Sequence, residues 1–452
     1  MIKNLSLLVD LYELTMAQAY FYYKKDNLAT FDLFVREMPC NRSYLVAAGL
    51  EDALDYIINL RFKHEDLRCL RKINVFSEDF LDYLKNFRFR GEIWAMPEGT
   101  IFFANEPVIR VTGPIIEAQI IESFLLNTIS LQTMIASKAS RVVAAARGRE
   151  VYDFSLRRTH GADAGLKVGR AAYLAGFSGT SNVLAGESYH IPVVGTMAHS
   201  YVMSFRYEID SFLAYSNLFP RKTILLVDTY DPKKGIQNAI TIGLYLKEQG
   251  YRLQGIRLDG GGILALSKLA RRMFDRAGLG YVKIFASGNL DEFRIKDLLS
   301  RGAKIDSFGV GTNMGTSSDA PSLDVVYKIS EVSDKKNNFL PTMKFSPGKI
   351  TYPGRKQVFR VFDKNKRFVK DIIGLDHEDM RGKALLKRVL DKGKITYKSE
   401  NLDRARERLQ DNLRQLPRSL REVYTRHKYT VEISAGLKKL QRILTRQLKN
   451  QQ

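Results

Sequence analysis

The sequence predicts an α/β protein: an irregular β/α barrel over residues 116–339, an N-terminal α/β domain over 1–115 completed by 340–375, and a basic helical C-terminal extension over 376–452. Three observations carry this. After residue 145 one unit recurs, a short Val/Ile/Leu run followed by a cluster of Gly and polar residues and then a helical pattern: EVYDFSLRR, IPVVGTMAHS, KTILLVDTYD, RLQGIRLDGG, YVKIFASGNL and IDSFGVGTNM. From Lys222 onward these runs start at residues 222, 252, 281 and 305, the period of β/α units. The runs are apolar throughout instead of alternating, as strands buried on both faces are. Between them, KKGIQNAITIGLYLKEQG and ILALSKLARRMFDRAG place apolar residues three and four apart, which predicts covering helices. An open parallel sheet is the alternative arrangement of the same units.

The flanks read differently. Residues 1–115 mix an amphipathic helix (LLVDLYELTMAQAYFYY), a strand (ATFDLFVREMP), a second helix (AAGLEDALDYIINL) and the strand-rich GEIWAMPEGTIFFANEPVIRVTG. Strand and turn return in KFSPGKITYPGRKQVFRVFDKNKRFVKDII, residues 344–373. The net charge of +22 invites a nucleic-acid reading, but residues 381–452 hold 20 Lys and Arg against 7 Asp and Glu. More than half of the imbalance therefore sits in one helical tail, the pattern of a solvated face, and nucleic acid is not the expected partner. Two cysteines, Cys40 and Cys69, exclude a disulfide framework and suit a reducing compartment. The N-terminus lacks the apolar core of a signal peptide, and no apolar run is long enough to span a membrane, so the expected location is the cytoplasm.

In barrels and open parallel sheets alike, the loops after the strands build the site. Here those positions carry Arg157 and Arg158, Thr196 and His199, Asp228 and Asp231, Arg257 and Asp259, Ser287 to Asn289, and Gly309 to Thr312. A lone histidine among small apolar residues is more often a core side chain with one hydrogen bond. Six chemically equipped strand ends turn His199, at the end of a buried run, toward function. SGN (287–289) and FGVGT (308–312) place glycine where backbone N–H groups can approach an anion. FGVGTNMG departs from the GxGxxG dinucleotide fingerprint, and the six histidines show no zinc spacing. Arginines beside several aspartates suit a polyphosphate, its Mg2+ and sugar hydroxyls.

VDLYELTMA, DFSLRRTHG, AGFSGTSNVLAG, GTMAHSYVMSF, LLVDTYD, GIRLD, FASGNLDE and FGVGTNM, in this order, closely resemble the nicotinate phosphoribosyltransferase family from about residue 5 to 373. The resemblance implies the type II phosphoribosyltransferase barrel and the union of nicotinic acid with phosphoribosyl pyrophosphate to give nicotinate mononucleotide and pyrophosphate. It also implies ATP hydrolysis through a phosphohistidine, Mg2+, and a homodimer to which Tyr12 contributes in trans. It makes His199 the phosphorylated residue and puts Tyr12, Thr196 and Phe154 at the pyridine ring, with Ser181 in the substrate-discriminating motif. Arg157, Arg158 and Arg257 would contact pyrophosphate or the nicotinate carboxylate. Asp259 and Asp228 would face the ribose hydroxyls and Mg2+, and Gly288, Gly311 and Thr312 would cradle the 5′-phosphate.

Two departures bear on function. Amide-using relatives have an aspartate in the motif corresponding to GFSGTSNVLAG, where this chain has Ser181; a carboxylate substrate would be repelled by that aspartate and tolerated by serine. The family usually reads RLDSGDL, whereas this chain has RLDGGGI, with Gly260 for Ser and Gly262 for Asp. The alternatives are thus a nicotinamide phosphoribosyltransferase, or a catalytically reduced paralogue acting as a binding or regulatory protein.

Overall fold

The computed structural model describes residues 5–346, 351–397, 400–424 and 426–450. The chain forms two compact units, one from residues 1–136 and 322–452, the other from 137–321. Part of the expected strand-and-turn region 344–373 lies outside the described residues.

The second unit is built on six strands, Glu150–Asp153, Gly179–Thr180, Ile224–Leu226, Gly255–Asp259, Lys283–Ser287 and Ser307–Val310. Every pairing among them is parallel, and their spatial order is 179, 150, 307, 283, 255, 224 by first residue. The strand interiors are buried almost without a break, as the continuous apolar runs predict. The helices Ala162–Leu174, Pro232–Glu248, Ile263–Arg276 and Glu292–Ser300 each return the chain from one strand to the next, and Val183–Tyr189, His199–Met203 and Glu208–Leu218 lie between Gly179–Thr180 and Ile224–Leu226. Their starts are written locally. Asp231 Oδ1 accepts from Lys234 N–H at 2.7 Å ahead of Pro232, and Asp291 Oδ1 accepts from Arg294 N–H at 2.8 Å. One core of this unit packs Leu225, Ile256, Leu258 and Ile284 against Ile236, Ala239, Ala270 and Phe274 of those helices.

The IPVVGTMAHS run differs from its expectation. It makes a single parallel bridge, Val193 to Thr180, flanked by Thr180 N–H to Pro192 O at 3.0 Å and Val194 N–H to Thr180 O at 2.9 Å. Pro192 lacks the N–H a ladder needs, and Gly195 follows, so no regular strand develops. His199 consequently opens the short helix His199–Met203 instead of ending a strand.

In the first unit the strand Leu28–Val35 lies between two antiparallel neighbours, Pro107–Pro114 and Val325–Ser333, within a seven-stranded sheet. Its helix Leu50–Asn59 follows Gly49, whose φ of 96° is a left-handed conformation that glycine adopts freely. The structure draws the domain lines at 136/137 and 321/322, where the sequence reading puts them at 115/116 and 339/340. The C-terminal region is also less purely helical than expected. Lys387–Asp391 pairs with Glu92–Ala95, and Val431–Ile433 runs parallel to Phe368–Leu375, alongside the helices Leu402–Gln415 and Ala435–Asn450. Short apolar runs such as RVL and VEI, hidden in a basic context, supply those strands.

Glu13, on the helix Leu11–Tyr23, is fully buried; burial, with Glu122 and Asp10 adding, pushes its carboxyl from the ordinary 4.5 up to about 8 against the opposing bond from Ser123 Oγ at 2.5 Å. A raised folded pKa means that the folded chain binds a proton the unfolded chain has released between these values, so stability falls as pH rises from 4.5 to 8. Glu13→Gln keeps the acceptor for Ser123 and removes the titration. Its urea midpoint should match wild type below pH 4.5 and exceed it increasingly up to pH 8; a gap independent of pH would contradict the assignment.

Candidate active site

Parallel register decides which side chains meet. Arg257 and Asp259 are two residues apart and so project from one face of their strand. Phe285 and Ser287 stand opposite them on the next strand, while Val310 is paired with Asp153 and Asp153 with Thr180. The carboxyl ends of the strands thus form one rim.

Arg257 is 8% exposed and reaches in four directions. Its Nε donates to Ser287 Oγ at 2.8 Å, Nη1 to Thr196 Oγ1 at 3.1 Å and Met197 O at 3.3 Å, and Nη2 to Asp259 Oδ2 at 2.9 Å. Its guanidinium carbon lies 5.4 Å from the centre of the Phe154 ring. Burial lowers its pKa from the ordinary value, the neighbouring Arg157 adds to this, and Asp259 opposes it. Thr196 belongs to the segment beside one edge strand and Arg257 to a strand next to the other edge, so their contact shows the sheet curling on itself as a barrel does.

His199 sits on the same rim. Its Nδ1 is 3.0 Å from Thr229 Oγ1, its Nε2 is 3.7 Å from Asp259 Oδ2, and its side chain is 39% exposed, which leaves it open to a ligand. Ser287 Oγ donates to Asp259 Oδ1 at 2.9 Å, so both Asp259 oxygens are engaged. Asp228 Oδ2 accepts from Asp259 N–H at 2.5 Å, while its Oδ1 is buried without a hydrogen-bond partner. Burial raises the Asp228 pKa, with the Asp259 N–H and His199 opposing. That orphaned oxygen fits a cation which brings most of its ligands from a polyphosphate; the described residues contain no cluster of three or more His, Cys, Asp or Glu that could hold a metal by themselves.

The glycine turns stand beside this centre. Gly288 has φ 98°, and a Cβ there would lie 3.1 Å from Gly260 N, so the turn depends on glycine. At Gly309 a Cβ would come within 2.9 Å of the Phe154 and Phe285 rings, whose centroids are 5.5 Å apart. Gly311 precedes the single-turn helix Thr312–Gly315, and Asn313 Nδ2 donates to Asn289 O at 3.3 Å, linking the two turns. Beside Gly260 and Gly261 an added Cβ would meet no atom within 4 Å, so the three-glycine loop leaves open room at the rim.

Of the residues singled out from sequence, Phe154, Thr196, His199, Asp228, Arg257, Asp259 and Gly288 are brought together. Ser181 follows Thr180 and donates its N–H to Asp153 O at 2.8 Å. Arg157 and Arg158 are exposed on the turn Leu156–Arg158, with the charge of Arg157 felt by Arg257. Asp231 caps a helix, and that accounts for its position. Tyr12 belongs to the first unit, where it is 47% exposed; burial of its hydroxyl and the nearby Glu122 push its pKa up. Sequence reasoning missed Thr229, adjacent to Asp228 in LLVDTYD, and the fully buried Asp153. Asp153 accepts from Ser155 N–H at 2.9 Å and Thr180 Oγ1 at 2.7 Å, bracing the DFS turn, and burial raises its pKa. The DFS and SGT fragments carried that signal.

Family models described as the nicotinate phosphoribosyltransferase N-terminal domain, family and C-terminal domain match residues 7–130, 150–369 and 378–441. The last match extends the family pattern into the basic tail. The chain is similar to nicotinate phosphoribosyltransferase pncB2 of Mycobacterium tuberculosis, 46% identical over 95% of this chain and 91% of the relative. It is 38% identical to the nicotinate phosphoribosyltransferase of Bacillus subtilis over 97% and 95% of the two chains. The crystal structure of human nicotinic acid phosphoribosyltransferase matches with a TM-score of 0.87 at 27% identity, covering 96% of this chain and 99% of that one. A nicotinate-nucleotide pyrophosphorylase from Pyrococcus furiosus matches with a TM-score of 0.73 at 26% identity, covering 91% and 95%.

Gly309→Ala tests the packing at the rim. With no room for the methyl group, it should cost about 1–3 kcal/mol of stability, read as a lower Tm, through displacement of the Phe154 ring; a neutral variant would mean that the rings yield freely.

Proposed function

Because the chain belongs to the nicotinate phosphoribosyltransferase family, we propose that it joins nicotinic acid to the ribose 5-phosphate of phosphoribosyl pyrophosphate, a route of NAD salvage. Nicotinate mononucleotide forms and pyrophosphate leaves. The observation that carries this reading is the shared rim: His199 lies 3.7 Å from Asp259, and Arg257 binds Asp259, Ser287 and Thr196 at once.

The pyridine nitrogen forms the new bond to C1 of the ribose as the C1–O bond to pyrophosphate breaks, with the electron pair leaving on oxygen. Positive charge grows on the sugar and negative charge on the leaving group. Asp228 and Asp259 are placed to offset the first; Arg257, with Arg157 and Arg158 on the adjacent turn, offsets the second. Phe154 offers a ring for the pyridine to pack against beside Thr196. Because the nucleophile is already a neutral nitrogen, positioning dominates over base catalysis. Gly288, Gly311 and Thr312 hold the 5′-phosphate through backbone N–H groups in this reading.

The reading includes ATP as co-substrate, Mg2+ and a homodimer. Asp228 and Asp259 would hold Mg2+, which would supply charge neutralisation at the pyrophosphate. Thr229 orients the His199 imidazole, whose partial exposure leaves room for a phosphoryl donor. The open loop at Gly260–Gly262 supports a second reading, a catalytically reduced paralogue, and absence of nicotinate mononucleotide in a chromatographic assay with all substrates and Mg2+ would establish that instead.

In the same assay His199→Ala should abolish the stimulation of turnover by ATP while leaving a basal rate; unchanged ATP coupling would remove the proposed role. Ser181→Asp should raise KM for nicotinate by about 10-fold or more through charge repulsion at the pocket and admit nicotinamide. Unaltered preference for the acid would place Ser181 away from the substrate carboxylate.

A further inference from the structure

Lys138, on the helix Glu122–Ala145, is a fully buried ammonium. Its Nζ lies 2.5 Å from Glu292 Oε2 and 2.9 Å from Asp319 Oδ1, and Arg141 Nε reaches Glu292 Oε1 at 3.0 Å. Glu292 is fully buried as well, and the ring of Phe293 lies 5.6 Å from Lys138 Nζ and 5.8 Å from the Arg141 guanidinium carbon. The two acids occupy telling positions. Glu292 opens the helix Glu292–Ser300 directly after the turn that contains Gly288 and Asn289, and Asp319 lies four residues beyond the helix Thr312–Gly315 that follows Gly311. One ammonium therefore ties the start of the helix that follows the first glycine turn to the segment that follows the second.

A buried ion cluster is an inefficient way to gain stability, since desolvation consumes most of the attraction and an apolar replacement often does as well. What it supplies that apolar packing does not is a directional, short-range tie between segments. The strands that lead into the two turns are paired through Phe285 with Ser307 and Ala286 with Phe308; beyond them, the side chain of Asn313 on Asn289 O, at 3.3 Å, joins the turns directly and lies at the exposed surface.

We propose that Lys138 is a positioning residue that fixes the spacing between the Gly288 and Gly311 turns, so that their N–H groups converge on one phosphate. The inference rests on the reading that these turns hold the 5′-phosphate. Lys138 itself touches no substrate, and its effect is transmitted through Glu292 and Asp319.

Two variants test it. Lys138→Met removes the charge at similar length, and Asp319→Asn weakens the link of Lys138 to the second segment while leaving the pairs of Glu292 with Lys138 and Arg141 in place. Each should raise KM for phosphoribosyl pyrophosphate and the calorimetric Kd for ribose 5-phosphate by about 10-fold, with kcat and KM for nicotinate changed by no more than about 2-fold. A lower Tm with both phosphate-dependent constants unchanged would make the cluster structural only and overturn the proposal. Should Lys138→Met fail to fold, Asp319→Asn decides alone by the same criterion. Wild-type protein that binds ribose 5-phosphate but forms no nicotinate mononucleotide would refute the proposed reaction and leave the Kd comparison to decide on Lys138. Wild-type protein that does not bind ribose 5-phosphate would refute the phosphate cradle and this inference with it.

Discussion

The guanidinium of Arg257 is the point on which the barrel rim depends. It is buried, it carries a permanent charge, and its donors meet a carboxylate, two hydroxyls and a carbonyl contributed by three separate stretches of chain. Such a charge is tolerable in the interior only because Asp259 stands beside it and its remaining N–H groups find oxygens. The geometry that satisfies Arg257 is also the geometry that presents Asp259 to His199 and turns Asp228 toward the Asp259 backbone.

That arrangement rests on strand register. Because side chains alternate along a strand, a slip of one residue between Gly255–Asp259 and Lys283–Ser287 would send Ser287 to the opposite face and deprive Arg257 and Asp259 of their shared hydroxyl partner. Strands buried on both faces are not aligned by burial alone, so the bonds of Ser287 Oγ with Arg257 Nε and Asp259 Oδ1 hold that register at the rim. Helix caps such as Asp231 and Asp291 then set where each returning helix begins, and with it how long each rim loop can be.

Much of this was legible in the sequence, for identifiable reasons. The β/α period and the continuous apolar runs marked five of the six parallel strands, leaving out the two-residue Gly179–Thr180, and strand-end chemistry marked Arg257, Asp259 and His199. The runs could not say that IPVVGTMAHS would make one bridge instead of a strand, because Val-rich patterning was outweighed by the missing N–H of Pro192. Nor could a basic tail reveal Lys387–Asp391 and Val431–Ile433 as strands, since their partners, Glu92–Ala95 and Phe368–Leu375, lie far away along the chain. Thr229 and Asp153 escaped for another reason. Their importance lies in which atoms they hold, the imidazole in one case and the DFS turn in the other, and short polar residues at strand ends are too common to announce that.

The first unit is assembled from both ends of the polypeptide, with the second unit inserted between its halves. Its inner strand Leu28–Val35 leaves the ribosome long before Val325–Ser333, which covers one of its edges. During synthesis that edge stays unpaired while the whole of 137–321 is made and can fold as a continuous stretch. The order of translation thus lets the barrel mature first, and an apolar sheet edge waits through most of elongation, the interval in which a nascent chain of this design is most exposed to mispairing and most in need of a chaperone.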